Sequence, residues 1–109
     1  MNLENTKAQM RKGILEFCIL SILKSETKYA SEILESLKKV EILVVEGTLY
    51  PLLTRLKNAE LLEYHWEEST AGPPRKYYQI TAQGTKMLNE LNLSWQSLQK
   101  AVTLILKSK

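Results

Sequence analysis

The sequence has few of the residue types that form chemical sites in proteins. Its 109 residues include one cysteine, one histidine and no aspartate. A single cysteine excludes an intrachain disulfide and a thiolate metal site, and the position of Cys18 within an apolar run favours an inert core residue. A Ser–His–Asp triad lacks its acid, and no glycine-rich phosphate loop is present. We therefore expect no enzymatic activity, no bound metal and no cofactor.

Long apolar runs are also missing. The longest, Ile14–Leu23, is interrupted by Glu16 and is shorter than the roughly 18 residues that span a membrane. Residues 1–10 are polar, and no small-residue cleavage site follows the apolar run, so a signal peptide is not expected. These features predict a cytoplasmic protein without a membrane partner.

Charge is unevenly distributed along the chain. Fifteen basic residues face twelve acidic ones, which gives a net charge of +3. This small excess is a weak indicator of nucleic-acid binding by itself. The distribution is more informative, because the acid-rich stretch 60–68 is followed by the adjacent cations Arg75 and Lys76. An anionic partner such as a phosphate backbone would bind where positive charge is concentrated locally, as it is at these two residues.

Hydrophobic periodicity predicts two helices in the first third of the chain. The first is predicted over Asn5–Lys24, and its apolar residues lie nearly all round, which indicates burial on several faces. The break at Ser25-Glu26-Thr27 offers a capping residue. A second helix follows, with apolar residues at helical spacing from Ala30 to Leu37.

A third helix is predicted after a short β-branched connection at Ile42–Val45. It begins near Gly47 and carries a buried stripe of leucines between positions 49 and 56. Pro51 is tolerated only in a first helical turn, where no intrahelical N–H bond is lost. The proline therefore predicts a helix start close to Glu46–Thr48.

A β-hairpin is predicted next. Apolar and polar residues alternate over positions 62–67, as in a half-buried strand. Ser69–Pro74 is rich in turn residues, and Lys76–Ile80 is a second strand rich in β-formers. Trp66 lies on the apolar side of the alternation and is interpreted as a packing residue of the first strand.

The last helix has the clearest periodicity in the chain. Thr81 is its predicted cap, and two sets of apolar residues recur every seven positions, offset by three. Such a seam would be exposed on a monomer, which is rare in soluble proteins, so we predict a homodimer formed through this helix. The predicted dimerisation residues are Leu88, Leu91, Trp95, Leu98, Val102 and Ile105.

The order of elements predicts a mainly α fold: a winged helix-turn-helix of three helices and a two-stranded β-wing, followed by a long C-terminal dimerisation helix. We divide the chain into a DNA-binding domain, 1–80, and the dimerisation helix, 81–109. In this arrangement the third helix enters the major groove of double-stranded DNA and the wing lies along the backbone.

Candidate DNA contacts lie on three elements. The second and third helices together form the reading unit, and small or hydrogen-bonding side chains near a helix start suit base edges and phosphates. On the wing, a turn containing glycine and proline presents two cations. The alternatives are that the polar side of the third helix is an ordinary solvated face and that the wing is a hairpin tip that only favours solubility. The candidates are Tyr29, Ser31, Thr48, Tyr50, Pro51, Thr54, Arg55, Arg75 and Lys76.

Four segments together resemble the PadR family of transcriptional regulators, and they cover roughly residues 10–84. Each is weak alone, but all four occur in the expected order and at suitable spacing. They are the third-helix segment Glu46-Gly47-Thr48-Leu49-Tyr50-Pro51-Leu52-Leu53-Thr54-Arg55-Leu56, the wing Gly72–Thr81, the first-helix segment 12–23, and Tyr29-Ala30-Ser31-Glu32-Ile33.

The resemblance implies the short subgroup of that family, whose members are dimers with a single C-terminal helix. In its multidrug-responsive members, planar aromatic compounds stack between paired tryptophans in a central pore. Trp95 occupies the matching position, and Gly13 and Phe17 match residues of the pore wall. Phe17 is bulky enough to narrow or fill that pore. The alternative is that Trp95 belongs only to the core of the dimer interface and contacts no ligand.

These observations predict a homodimeric transcriptional regulator, a repressor, which binds an inverted-repeat operator and is released by a small aromatic effector. The alternative is a winged-helix protein–protein adaptor that does not read DNA. An adaptor has no need for Arg55, Arg75 and Lys76 together, so these cations favour the regulator.

Overall fold

The computed structural model describes residues 1–108, and it confirms the predicted winged helix-turn-helix architecture. Lys109, the last residue of the predicted C-terminal unit, lies outside the described residues. Within residues 1–108, no helix has the combination of length and apolarity needed to cross a membrane. The elements are α1 (Leu3–Ile22), α2 (Ala30–Lys39), α3 (Glu46–Asn58), β1 (Leu62–Ser69), β2 (Gly72–Ile80) and α4 (Ala82–Lys107).

The first two helices begin at caps that differ from the predicted ones. α1 starts at Leu3 rather than Asn5, because the side chain of Asn2 accepts a hydrogen bond from the Asn5 N–H at 3.1 Å. It also ends two residues before Lys24. The predicted cap of α2 within residues 25–27 is wrong: Tyr29 precedes the helix, and its N–H donates to the Glu32 carboxylate at 3.1 Å.

Pro51 lies deeper in α3 than predicted. The helix starts at Glu46, within the predicted range, but Pro51 is its sixth residue and therefore lies beyond the first turn. In an α-helix the Gly47 carbonyl would accept a hydrogen bond from the N–H of residue 51, but proline has no N–H and this bond is missing. Gly47 and Pro51 are both exposed, so water can bond this carbonyl. Pro51 is thus not in the first turn, as predicted, although the predicted helix start is right.

The hairpin is longer than predicted. β1 and β2 are antiparallel, with Leu62 opposite Ile80 and Trp66 opposite Lys76. The predicted turn at Ser69–Pro74 shrinks to Thr70 and Ala71, and the Gly-Pro-Pro segment belongs to β2. A two-stranded sheet leaves one edge of each strand unpaired, so prolines are tolerated near its end.

A short β-bridge ties the wing to the start of α2. The N–H of Lys28 donates to the Tyr78 carbonyl at 3.1 Å, and the N–H of Tyr78 donates back to the Lys28 carbonyl at 2.8 Å. Tyr78 is buried, so these bonds are shielded from water. The wing and the helix-turn-helix therefore form one continuous structure.

The hydrophobic core lies among α1, α2, α3 and the base of the wing. Its residues occupy the apolar stripes expected from helical spacing. Cys18 is half-buried at the edge of this core, and burial raises the pKa of its thiol, as expected for an unreactive cysteine. The most deeply buried side chains are Ile19, Leu20, Leu23, Ile33, Leu37, Leu49, Leu53, Leu56 and Leu62.

The first turns of α4 pack against this core, whereas the rest of the helix projects from it. Gly84 is buried, and a Cβ at this position would collide with the carbonyl oxygen of Leu61. Leu88 is also buried, and Leu91 is half-buried. The prediction that the whole apolar seam is exposed on a single chain is therefore wrong for Leu88, which contributes to the intrachain core. From residue 92 to residue 108 every described residue is exposed.

Candidate nucleic-acid interface

A groove of about 390 Å³ separates the wing from the starts of α2 and α3. Five of the predicted DNA contacts line it, from three elements that are distant in sequence. The Lys28–Tyr78 bridge brings these elements together because it fixes the wing beside α2. The residues that line the groove include Tyr29, Ser31, Glu46, Tyr50, Trp66, Pro74, Arg75 and Lys76.

Arg75 is held against an aromatic ring at one side of the groove. Its guanidinium carbon lies 4.5 Å from the centroid of Tyr29, a distance typical of a cation–π contact. Tyr29 in turn meets Tyr77 edge-to-face at a centroid distance of 5.2 Å. Burial, together with the nearby charge of Glu67, raises the pKa of Tyr77. The arginine is thus ordered without being neutralised.

Lys76 is held between two rings on the opposite face of the hairpin. Its Nζ lies 4.6 Å from the centroid of Tyr64 and 5.3 Å from that of Trp66. Within the part of the chain that the structure describes, neither Lys76 nor Arg75 makes a salt bridge with a carboxylate. Both positive charges are therefore available to an anionic partner.

The outer face of α3 supplies hydrogen-bonding groups to the same side of the molecule. Leu49 and Leu53 are buried, whereas Tyr50 and Thr54, one turn apart on the other face, are exposed. Tyr50 lines the groove. This face can approach base edges while the cations of the wing meet phosphates.

Thr48 and Pro51 lie apart from the groove of the wing. They line a second groove of about 520 Å³, formed between α3, α1 and the connection before α3. Leu43 and Val45 of that connection are exposed and line the same groove. Thr48 and Pro51 therefore border the outer face of α3 on the side of α1.

Arg55 does not line the groove of the wing. Its guanidinium forms an ion pair with Glu16 of α1 at 3.1 Å. Five residues along a helix correspond to a rotation of about 140°, so Arg55 lies well away from Tyr50. Arg55 is instead on the side of α3 that faces α1, as are Thr48 and Pro51, and its contact with DNA stays a prediction.

Gly13 and Phe17 line a cavity of about 410 Å³ between α1, α3 and α4, together with Arg55 and Leu91. Trp95 is not among the lining residues and is 38% exposed on the projecting part of α4. A single chain therefore brings two of the three predicted effector residues together, and the third lies farther along α4.

Trp66 also lines the candidate groove, which the sequence does not predict. The alternation of the strand predicts a packing role, but 61% of the residue is exposed. The strand alternation alone could not reveal this, since Leu62 and Tyr64 on the same face are covered by the protein and Trp66 extends beyond them. Its position opposite the cation Lys76 was the available signal.

The fold and this groove define a winged helix-turn-helix protein in which two cations of the wing, Arg75 and Lys76, line a groove beside an accessible third helix, an arrangement of DNA-binding regulators. Comparison with family models agrees, since residues 19–90 match the PadR-like family of transcriptional regulators. The chain belongs to this family. Its members are transcriptional regulators, which confirms the expectation that the protein is not an enzyme.

Solved structures of similar proteins support the same assignment. A PadR-like transcription factor from Bacteroides fragilis is 57% identical, covers 93% of this chain and 98% of its own, and has a TM-score of 0.79. A PadR-like regulator from Bacillus cereus is 40% identical over 93% and 99% of the two chains, with a TM-score of 0.83. A PadR family regulator from Eggerthella lenta is 31% identical over 98% and 94%, with a TM-score of 0.89.

Proposed function

We propose that this PadR-like regulator is a cytoplasmic homodimeric repressor that binds an inverted-repeat operator on double-stranded DNA. The observation that carries the proposal is the groove in which Arg75 and Lys76, both without a carboxylate partner in the described chain, lie beside Tyr50 of α3. Cations of this kind bind phosphates, and hydrogen-bonding side chains of a recognition helix read bases.

The exposed part of α4 supports a dimer. Trp95, Leu98, Val102 and Ile105 follow heptad spacing and are between 38% and 70% exposed. A second copy of α4 would cover this apolar surface. Two reading heads related by a twofold axis would then face successive major grooves, about 34 Å apart, which corresponds to an inverted repeat.

The contribution of the wing can be tested by its salt dependence. Each phosphate contact releases counterions, so replacing both Arg75 and Lys76 with alanine removes four contacts from a dimer and should lower the slope of log K against log salt by about 3.6. Affinity should fall by about a hundredfold or more on every sequence, because phosphate contacts do not discriminate bases. Fluorescence anisotropy with a labelled promoter fragment over a salt series measures both quantities.

A matched control removes two lysines from a remote surface. Lys38 and Lys39 lie in the last turn of α2, at the opposite end of that helix from the groove. Their double alanine variant has the same loss of charge and should keep nearly the whole slope. An unchanged slope in the Arg75 and Lys76 variant would show that the wing does not contact DNA.

The protein–protein adaptor is distinguished by sequence preference. A regulator should bind one segment of the promoter upstream of its own gene more tightly than a random duplex, and footprinting should show two protected half-sites. An adaptor with a basic surface would bind both duplexes equally and would dissociate at moderate salt. Arg75 and Lys76, which have no carboxylate partner in the described chain, favour the regulator.

The proposed effector is a planar aromatic molecule bound between the two copies of Trp95. Gly13 and Phe17 would line the pore in which it binds. The partial exposure of Trp95 and the cavity of about 410 Å³ next to α4 support this proposal. Stacking with burial is sufficient for roughly micromolar affinity. Titration with planar aromatic dyes should therefore quench tryptophan fluorescence.

Trp66 also emits, so a Trp95→Phe variant is the necessary control. Quenching should be strongly reduced in this variant if the ligand stacks on Trp95. Undiminished quenching would place the ligand elsewhere, and absence of quenching with a varied panel of dyes would indicate a closed, purely structural interface.

A further inference from the structure

Trp66 is an unusual residue to leave uncovered. It is 61% exposed on β1, near the tip of the hairpin, and its ring meets Tyr64 edge-to-face at a centroid distance of 6.2 Å. Trp66 therefore contributes little to the core, yet its orientation is fixed by its neighbour. A large ordered aromatic surface on a groove is typical of a binding contact.

The cation beside Trp66 gives this surface a specific chemistry. Lys76 lies directly opposite Trp66 in the hairpin register, and its Nζ is positioned between the rings of Trp66 and Tyr64. The groove thus presents a flat apolar ring with an ammonium group next to it. A nucleotide backbone has the complementary arrangement, since each deoxyribose offers an apolar face and is bonded to an anionic phosphate.

The opposite wall of the groove limits where that phosphate can lie. Glu46, an acidic residue in the first turn of α3, lines the groove. A phosphate next to this carboxylate would be repelled, whereas one next to Lys76 and Arg75 would be attracted. The backbone should therefore follow the wing side of the groove, and Glu46 faces the bases, where a carboxylate can accept from a cytosine amino group.

We propose that Trp66 is a direct DNA contact: its indole packs against a deoxyribose while Lys76 pairs with the adjacent phosphate. The inference rests on the proposed function and adds a positioning residue to it. Because the ring, the cation and Tyr50 line one groove, this contact fixes the distance between the DNA backbone and α3.

The first test uses Trp66 as its own probe. The sequence contains two tryptophans, so a Trp95→Phe variant leaves Trp66 as the sole emitter. Adding a random-sequence duplex of about three helical turns at low salt should quench Trp66 and shift its emission, because the contact does not depend on sequence. In the Trp66→Phe variant the emission of the remaining Trp95 should change much less.

The second test measures affinity. A Trp66→Ala variant should bind both the random duplex and the promoter about fivefold more weakly, since it loses the aromatic contact and one of the rings that hold Lys76. Trp66→Phe keeps a ring and should lose about twofold or less.

The outcomes separate the inference from the function on which it rests. Trp66 is exposed, so these variants should remain folded, and circular dichroism verifies this. If DNA binds to the Trp95→Phe variant by anisotropy but leaves Trp66 emission unchanged, and Trp66→Ala binds with undiminished affinity, the contact is refuted and the regulator stands. If neither duplex binds to the wild-type chain, both proposals are refuted.

Discussion

A Leu98→Glu, Val102→Glu double variant should be a folded monomer whose affinity for operator DNA is at least about a hundredfold lower than that of the wild-type protein. Both residues are half or more exposed in the chain, and residues 92–108 contribute nothing to its core. Charges on this face cannot be buried against a second copy without a large desolvation cost. A monomer engages one half-site only and loses the advantage of linked binding.

Light scattering at micromolar concentration and anisotropy with promoter DNA measure the two effects. Gln96→Glu with Gln99→Glu provides the matched control, because it adds the same charge to the polar face of α4 that includes Lys100. This variant should remain a dimer. A wild-type protein that is monomeric at micromolar concentration, or a Leu98 and Val102 variant that still dimerises, would contradict the predicted interface.

A Gly84→Ala variant should be destabilised by about 3 kcal/mol, an unusually large effect for adding one methyl group. The new Cβ would meet the carbonyl oxygen of Leu61, which already accepts the N–H of Thr81 at 3.1 Å. Moving α4 away would also disturb its cap, in which the Gly84 N–H donates to the Thr81 hydroxyl at 2.9 Å. Urea unfolding followed by circular dichroism gives the free energy of unfolding.

Gly47→Ala is the control for this effect. Gly47 is also a glycine in the first turn of a helix, but it is exposed and a Cβ there would meet no atom within 4 Å. Alanine at this position should leave the protein as stable or up to about 1 kcal/mol more stable. Equal stability changes in the two variants would show that close packing at Gly84 is not what fixes the start of α4.

The order and type of the elements followed from local patterns. The leucine stripe between positions 49 and 56, the alternation over 62–67 and the heptads after Thr81 each depend on one segment only, and each gave an element of the predicted type. Tyr29, Ser31, Tyr50, Arg75 and Lys76 were likewise predicted as contacts, and the structure gathers them at one groove.

The features that local patterns do not predict arise between segments. Arg55 shares a helix with Tyr50, and only the position of α1 reveals that its charge pairs with Glu16. Leu88 follows the same heptad pattern as Trp95, yet the winged helix-turn-helix covers the first and leaves the second exposed. The exposure of Trp66 likewise depends on how far the rest of the protein extends along the hairpin.

The close contact at Gly84 gives α4 a mechanical property. From this fixed point the helix runs 23 residues to Lys107, or about 35 Å at 1.5 Å per residue. A rotation of α4 by about 5° about Gly84 therefore displaces its far end by roughly 3 Å. If two α4 helices are joined at their C-terminal ends, a small change of the angle between them moves the two winged helix-turn-helix units by ångströms relative to each other. The β-bridge between Lys28 and Tyr78 makes each head move as a unit, so the spacing between heads changes more readily than their internal geometry.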